Sequence, residues 1–207
     1  MAAKSRKQNS RDRVHCELIA IGASAGGLPA LIKVVDGFDQ NFPAVLVVQH
    51  LDPRHKSQMA SLLSKRTRKT VKEAEDGEGI LPKTVYIGPP DEHLLVSNKG
   101  TIQLAHSRLI RFSRPSIDLL FSSVAATYGY RAIGVILSGS NRDGADGIAA
   151  IKRAGGITMA QDPSTAEYRV MPQAAIDTGC VDLVVSLDKM GETISALVAR
   201  GKKRENG

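Results

Sequence analysis

Short apolar runs alternate with helical patterns along most of the chain. The runs at residues 18–21, 44–48, 132–137 and 157–160 are almost continuously apolar, which is typical of strands covered on both faces of a sheet. A fifth, VDLV at 181–184, is shorter. Strands that alternate with helices predict an α/β fold: a doubly wound, mostly parallel sheet with helices on both faces.

The segments between these runs carry apolar residues at helical spacing. Leu28, Leu31, Ile32 and Val35 lie at positions i, i+3, i+4 and i+7, one stripe of a helix. Further helices are predicted at 57–66 with Ser57 as the N-cap, at 117–128, up to about residue 154, before Gly179, and from about residue 190.

Residues 83–104 break this alternation. They contain three short β-type runs, TVYI, LLV and TIQL, and a Ser-Asn-Lys-Gly turn separates the last two. The pattern predicts an antiparallel β-hairpin excursion formed from this region.

The basic character of the chain lies at its ends. The formal net charge is +7, but residues 1–15 hold five basic residues against one acidic, and residues 200–207 hold four against one. The remainder is neutral, so the sequence predicts a basic disordered tail over 1–13, one folded domain over 14–200 and a basic tail over 201–207. Aromatic residues make up 4% and Trp is absent, which argues against stacking on single-stranded nucleic acid.

Composition also limits cofactor, compartment and partner. The two cysteines, Cys16 and Cys180, form no CxxC pair, and no histidine cluster has metal-ligand spacing. No apolar segment has signal-peptide or membrane-span length. We therefore expect a cytoplasmic protein with no metal, no cofactor, no nucleic-acid partner and no membrane insertion.

The glycine loop after the first strand, Gly-Ala-Ser-Ala-Gly-Gly, has two chemical interpretations. As a dinucleotide-binding fingerprint it has Ser24 in place of the glycine that lets a pyrophosphate approach, and Gln49-His50 where an acidic residue is expected. A Walker A loop is missing its lysine. Phosphate binding therefore fits this loop poorly.

The same loop reads G-x-S-x-G, a pattern that places a nucleophilic serine on a sharp strand-to-helix turn. The structural alternative is that Ser24 is an ordinary helix N-cap. Two further strand ends favour the nucleophile, because the second strand ends at His50 and the loop after AIGVIL carries Asp143. Carboxyl ends of parallel strands meet at one edge, so we expect a nucleophile, a base and an orienting carboxylate there.

Other residues could take these roles less readily. His50 alone could be a hydrogen-bonded strand-end histidine, and Asp143 a helix N-cap. His15, His55, His93 and His106 lie in tail, loop or hairpin positions, where a ring is held less rigidly toward Ser24. Asp146, one turn further along, is the second choice for the carboxylate.

With these residues identified, the chain resembles the catalytic domain of the chemotaxis protein-glutamate methylesterases, the CheB family. The resemblance runs from about residue 18 to residue 190. The motifs that carry it are IGASAGG, FPAVLVVQHL, YIGPPDEHLLV, RPSIDLLFSSVA, GVILSGSNRDGADG, AGGITMAQDPSTAEY and MPQAAIDTGCVD.

The resemblance implies a fold, a chemistry and a partner. The family is doubly wound α/β with a hairpin near the site, and its triad corresponds to Ser24, His50 and Asp143. Its oxyanion donors, two backbone N–H groups, correspond to Ala25 and Ser140. The family hydrolyses glutamate γ-methyl esters on the cytoplasmic bundles of chemoreceptors, and it also deamidates certain receptor glutamines.

The sequence departs from the family pattern at the site. Ala25 stands where many members have Thr, and Gly139-Ser140-Asn141 replaces the usual Gly-Met-Gly. Only 17 residues precede the matching region, so we expect no receiver domain and no control by one in cis. The altered loop supports an alternative function, a receptor or signalling-partner binding module with weak or absent catalysis.

Overall fold

The structure is a computed structural model. It describes residues 16–50, 58–110 and 113–203, with the side chains of 200–203 excepted. The predicted N-terminal tail lies outside the described residues. The strands are β1 (Leu18–Ala23), β2 (Ala44–Gln49), β3 (Thr70–Glu73), β4 (Thr84–Ile87), β5 (His93–Val96), β6 (Ile102–Ala105), β7 (Ala132–Ile136), β8 (Ile157–Gln161) and β9 (Leu183–Val185).

Seven of these strands form one parallel sheet. Their order is β3-β4-β2-β1-β7-β8-β9, and every pairing in it is parallel. After β1 the chain first adds β2 and the strands beyond it on one side of β1. It later adds β7, β8 and β9 on the other side. The strand order therefore reverses at β1, and a crevice forms beyond the carboxyl ends of β2, β1 and β7.

Within the described residues, six α-helices cover both faces of the sheet. They are α1 (Gly27–Asp36), α2 (Met59–Arg66), α3 (Ile117–Tyr128), α4 (Ala145–Arg153), α5 (Val170–Ile176) and α6 (Leu187–Lys203). Helices α1, α2 and α6 pack in the core of one face, and α3, α4 and α5 pack on the other with the β5–β6 hairpin. The doubly wound fold predicted from the sequence is confirmed.

The apolar runs are continuous because the side chains of each central strand alternate between the apolar clusters on the two faces of the sheet. Ile19 and Ile21 of β1 belong to one apolar cluster, and Leu18 and Ala20 belong to the other. All four are fully buried, and each large side chain contributes about 1.5–3 kcal/mol of burial free energy.

The prediction for residues 83–104 was partly wrong. TVYI is not in the hairpin: as β4 it lies in the main sheet, parallel to β2 and β3. The hairpin consists of β5 and β6 alone, paired antiparallel. A four-residue β-branched run fits either arrangement, since its partner is chosen by tertiary packing.

The start of one helix and the presence of one strand also differ from expectation. Helix α2 begins at Met59, and its N-cap Gln58 makes no side-chain capping bond; the predicted cap, Ser57, lies outside the described residues. Strand β3 was not predicted, because an edge strand with the sequence TVKE lacks a continuous apolar run. Within the described ranges, no helix combines the length and the apolarity needed to cross a membrane.

Candidate active site

Ser24 follows β1 in a loop that is held from three sides. Its backbone N–H donates to the Ser138 carbonyl at 2.9 Å, and its own carbonyl accepts the Gly27 N–H at 2.9 Å and Gln49 Nε2 at 2.7 Å. The turn has left-handed backbone at Gly26, with φ 69°. A Cβ on Gly27 would lie 2.0 Å from Gln49 Oε1, so Gly26 serves the turn and Gly27 leaves room for the Gln49 side chain.

His50 lies beside Ser24, directly after the neighbouring strand β2. Ala23 pairs with Gln49 in the register of β1 and β2, and the His50 N–H extends that ladder by donating to the Ala23 carbonyl at 3.0 Å. Ser24 and His50 both line a cavity of about 410 Å³. In the part of the chain that the structure describes, no hydrogen bond joins the Ser24 hydroxyl to the imidazole.

The imidazole of His50 contacts a side chain at each nitrogen. Nε2 lies 2.9 Å from Asp143 Oδ2, and Nδ1 lies 3.2 Å from Asn141 Nδ2. The structure thus brings the predicted base and carboxylate into hydrogen-bond contact. The Asn141 contact was not anticipated, because it depends on the path of the loop after β7.

Asp143 is 1% exposed and accepts bonds at both oxygens. Oδ2 accepts the Ile117 N–H at 2.7 Å as well as His50 Nε2, and Oδ1 accepts Ser116 Oγ at 3.0 Å and the Asp118 N–H at 3.1 Å. Burial by itself disfavours the charged form, but the bonds from His50 and from the two N–H groups hold the pKa of Asp143 below its ordinary value. The carboxylate is therefore ionised at neutral pH.

These partners place Asp143 at the N-terminus of α3, where free N–H groups and the helix dipole favour an anion. Helix α4 is held reciprocally, since Asp118 Oδ1 of α3 accepts the N–H groups of Gly144 at 2.9 Å and Gly147 at 2.8 Å. The carboxylate of Asp143, just before α4, thus binds the start of α3, and the carboxylate of Asp118 in α3 binds the start of α4. Ser116 is the N-cap of α3, where its Oγ accepts the Leu119 N–H at 3.4 Å, and nothing in the sequence indicated that Asp143 would meet the same helix end.

Asp118 is the less acidic member of this pair. Burial, reinforced by the neighbouring Asp143 charge, raises its pKa to about 6, although the Gly147 N–H opposes the shift. An Asp118→Asn variant keeps an oxygen for the Gly144 and Gly147 N–H groups but has no charge to bury.

We expect Asp118→Asn to be more stable than the wild type at pH 7.5 and little changed at pH 4. Between pH 4 and pH 6 the folded wild type keeps a proton that the unfolded chain loses, so its stability falls as pH rises through that window. Because solvent screens the Asp118 charge, we expect the gain in the free energy of unfolding at pH 7.5 to be about 1 kcal/mol. Urea unfolding at pH 4 and at pH 7.5 measures the difference in the free energy of unfolding between Asp118→Asn and the wild type. An equal difference at the two pH values would contradict the raised pKa assigned to Asp118.

The remaining candidates have other positions. His93 is fully buried: its Nδ1 accepts the Ser116 N–H at 3.1 Å and its Nε2 lies 3.2 Å from the Arg108 carbonyl, so it supports the start of α3. His106 is exposed, with Nδ1 2.9 Å from the Asp91 carbonyl. Asp146 is exposed on α4. His15 and His55 lie outside the described residues.

The two predicted oxyanion donors lie on loops that are tied together. Ser138 Oγ donates to the Ala25 carbonyl at 2.8 Å and joins the loop after β7 to the Ser24 loop. Because a peptide unit is planar and trans, the bonds that hold the Ser24 carbonyl also fix the opposite direction for the Ala25 N–H. Among the described residues, the N–H groups of Ala25 and Ser140 donate to no other group.

The described residues contain no group of three or more His, Cys, Asp or Glu placed to hold a metal ion. The arrangement that they do form is a hydrogen-bonded His–Asp pair beside a serine, with two amide donors on adjoining loops. Such an arrangement suits nucleophilic acyl transfer.

Comparisons with known proteins agree with this chemistry. A family model described as CheB methylesterase matches residues 19–194. A relative from Leptospira interrogans is 41% identical over 177 residues, which cover 85% of this chain and 92% of the relative. A Photorhabdus laumondii relative named protein-glutamate methylesterase/protein-glutamine glutaminase is 39% identical over 90% of this chain, which spans 54% of that relative.

The fold comparison gives the same result. The crystal structure of the Thermotoga maritima CheB methylesterase catalytic domain superposes with a TM-score of 0.84 at 35% identity, covering 88% of this chain and 99% of that one. On the sequence, the fold and the site together, the chain belongs to the CheB methylesterase family.

Proposed function

We propose that this protein is a serine esterase that hydrolyses glutamate γ-methyl esters on chemoreceptors, with Ser24 as nucleophile, His50 as base and Asp143 as the carboxylate that orients the base. The observation that carries the proposal is the 2.9 Å contact between His50 Nε2 and Asp143 Oδ2, in a histidine that shares a cavity with Ser24.

Acylation uses the nitrogen that Asp143 leaves free. The ionised Asp143 can only accept, so Nε2 carries the imidazole hydrogen and Nδ1 is the basic nitrogen. Nδ1 removes the Ser24 hydroxyl proton as Oγ attacks the ester carbonyl. The N–H groups of Ala25 and Ser140 stabilise the oxyanion, and methanol leaves with the proton held by His50.

Deacylation repeats these roles with water. His50 Nδ1 takes a proton from water, the hydroxyl attacks the glutamyl–Ser24 ester, and the proton passes to Ser24 Oγ as the glutamate side chain is released; the second water proton leaves to solvent when the product carboxyl ionises. An amide substrate passes through the same acyl-enzyme with ammonia as the leaving group, so the proposal includes deamidation of receptor glutamines. The Asp143 charge stabilises the imidazolium in each step.

The proposed partner is the cytoplasmic domain of a methyl-accepting receptor, and a groove beside the site suits an acidic protein surface. The groove, of about 510 Å³, presents two guanidinium groups, Arg142 of the β7–α4 loop and Arg169, against one carboxylate, Asp177; the rest of its lining is Pro163, Ser164 and α5. Bonds between Gly139 and the 168–171 segment hold its two sides together. Among the described residues, neither guanidinium has a carboxylate partner.

Reversing both charges, with Arg142→Glu and Arg169→Glu, should raise KM for a methylated receptor fragment about 10-fold, as expected for losing two exposed attractions and adding repulsion. Turnover of a small p-nitrophenyl ester should stay within about 2-fold, because the groove does not contact the reacting carbonyl. Arg153→Glu, at the far end of α4, is the matched control. Equal losses on both substrates would contradict a docking role.

The relatives and the family match support the enzymatic interpretation and not the binding module without turnover. The experiment that decides between them is methanol release from a receptor fragment bearing glutamyl methyl esters. We expect methanol in proportion to time and protein concentration; tight binding with no methanol would favour the binding module.

A further inference from the structure

Asn141 lies between the base and the loop that carries Asp143, and it bonds to both. Its Oδ1 accepts the Asp143 N–H at 3.0 Å, a turn that fixes the amide plane. Its Nδ2 lies 3.2 Å from His50 Nδ1. No step of the proposed mechanism uses this side chain.

The direction of the Asn141–His50 bond follows from its neighbours. The Asp143 N–H is only a donor, so the amide oxygen must face it and the amide NH₂ must face His50. On the other side of the ring, Asp143 fixes the hydrogen on Nε2 and leaves a lone pair on Nδ1. Asn141 therefore donates to the nitrogen that the proposed mechanism assigns as the base.

Nδ1 has a single in-plane lone pair, so it accepts one strong hydrogen bond at a time. We propose that Asn141 is a positioning residue that occupies the base nitrogen in the resting enzyme, so that the Ser24 hydroxyl must displace its amide before attack. This inference rests on the proposed function, in which Ser24 and His50 act together. It agrees with the absence of a Ser24–His50 hydrogen bond among the described residues.

The amide donation does not otherwise support catalysis. Asp143 already sets the tautomer and orients the ring, and the bond from the His50 N–H to the Ala23 carbonyl already fixes the backbone that carries it. The remaining contribution of Asn141 Nδ2 is to stabilise the state in which Ser24 has no base. Removing it should therefore accelerate the reaction of Ser24.

Two substitutions separate this role from a purely structural one. Asn141→Ala removes both bonds, whereas Asn141→Asp keeps an oxygen for the Asp143 N–H but presents an acceptor to Nδ1, which favours the protonated imidazole. Asp162→Ala is the matched control, because Asp162 Oδ1 accepts the Ser164 N–H at 2.8 Å in a comparable turn at the same edge of the sheet.

The readout is the reaction of Ser24 with a fluorophosphonate, in which Oγ bonds to phosphorus, fluoride leaves and Nδ1 takes the proton. At pH 7 we expect the maximal inactivation rate to rise about 2- to 10-fold in Asn141→Ala, the range for one hydrogen bond. It should fall about 10-fold in Asn141→Asp, since the acidic side chain stabilises the protonated imidazole, which cannot take the Ser24 proton. Probe affinity and the control should be unchanged.

A structural role predicts the opposite order, with Asn141→Asp near the wild type and Asn141→Ala slower, and that order would overturn the proposal. Melting temperatures identify any variant that fails to fold. If Asn141→Ala fails to fold, an inactivation rate of Asn141→Asp equal to that of the wild type still overturns the proposal. Absence of Ser24 labelling in the wild type would overturn the proposed function itself.

Discussion

Replacement of Ser24 by alanine should lower methanol release from a methylated receptor about 10⁴-fold or more, the scale on which loss of a serine nucleophile acts in hydrolases. The residual rate would come from the amide donors and from binding, which need no hydroxyl.

The variant should fold normally. The Ser24 backbone bonds to Ser138, Gly27 and Gln49 do not involve the hydroxyl, so we expect a stability change within about 0.5 kcal/mol. Ser122→Ala, an exposed serine on α3 that lines neither the Ser24 cavity nor the docking groove, is the matched control and should keep full activity. Methanol release above about a tenth of the wild-type rate in Ser24→Ala would be incompatible with a covalent serine mechanism.

Replacement of Asp143 by asparagine should lower turnover about 10³- to 10⁴-fold and stability by about 2 kcal/mol. Both oxygens accept bonds from donors: His50 and Ile117 at one, Ser116 and Asp118 at the other. An amide supplies only one acceptor, so its NH₂ must face a donor wherever it is placed. The imidazolium also loses its counter-charge.

Asp146→Asn makes the same chemical change three residues along, at an exposed position on α4. It should change neither turnover nor stability appreciably. Single-turnover rates and urea unfolding measure the two losses separately. A large loss of stability with turnover intact would make Asp143 a helix-capping residue alone.

The strand ends could be predicted from sequence because they depend on local pattern. Apolar runs in β1, β2 and β7 locate buried parallel strands, and parallel strands deliver the residues that follow them to one edge. Ser24 and His50 were identified in this way, since each follows such a run directly. Asp143 needed one further assumption, that β7 lies next to β1, and the sheet order confirms it.

The surroundings of these residues could not be predicted in the same way. Ser116 is distant from Asp143 in sequence, and it contacts the carboxylate only because the N-terminus of α3 packs against the β7–α4 loop. His93 contacts the same helix end by accepting the Ser116 N–H. The same limit explains β4, whose four residues fit a hairpin or a parallel sheet equally well until their neighbour is known. Local pattern locates an element, but packing between distant elements chooses its partner.

The roles of two residues that surround Ser24 and His50 also became visible only in three dimensions. Gln49 was noted as a residue that spoils a nucleotide fingerprint; in the structure its amide holds the Ser24 carbonyl. Asn141 was noted as a departure from the family pattern, and its contact with the base gives that departure a chemical consequence.

The central claim is that Ser24 is the nucleophile and His50 its base, and peptide mapping after fluorophosphonate treatment tests it most directly. We predict one adduct per chain, located on Ser24, and its disappearance in His50→Ala. An adduct on a different serine, or no adduct in a folded protein that still releases methanol, would contradict the account.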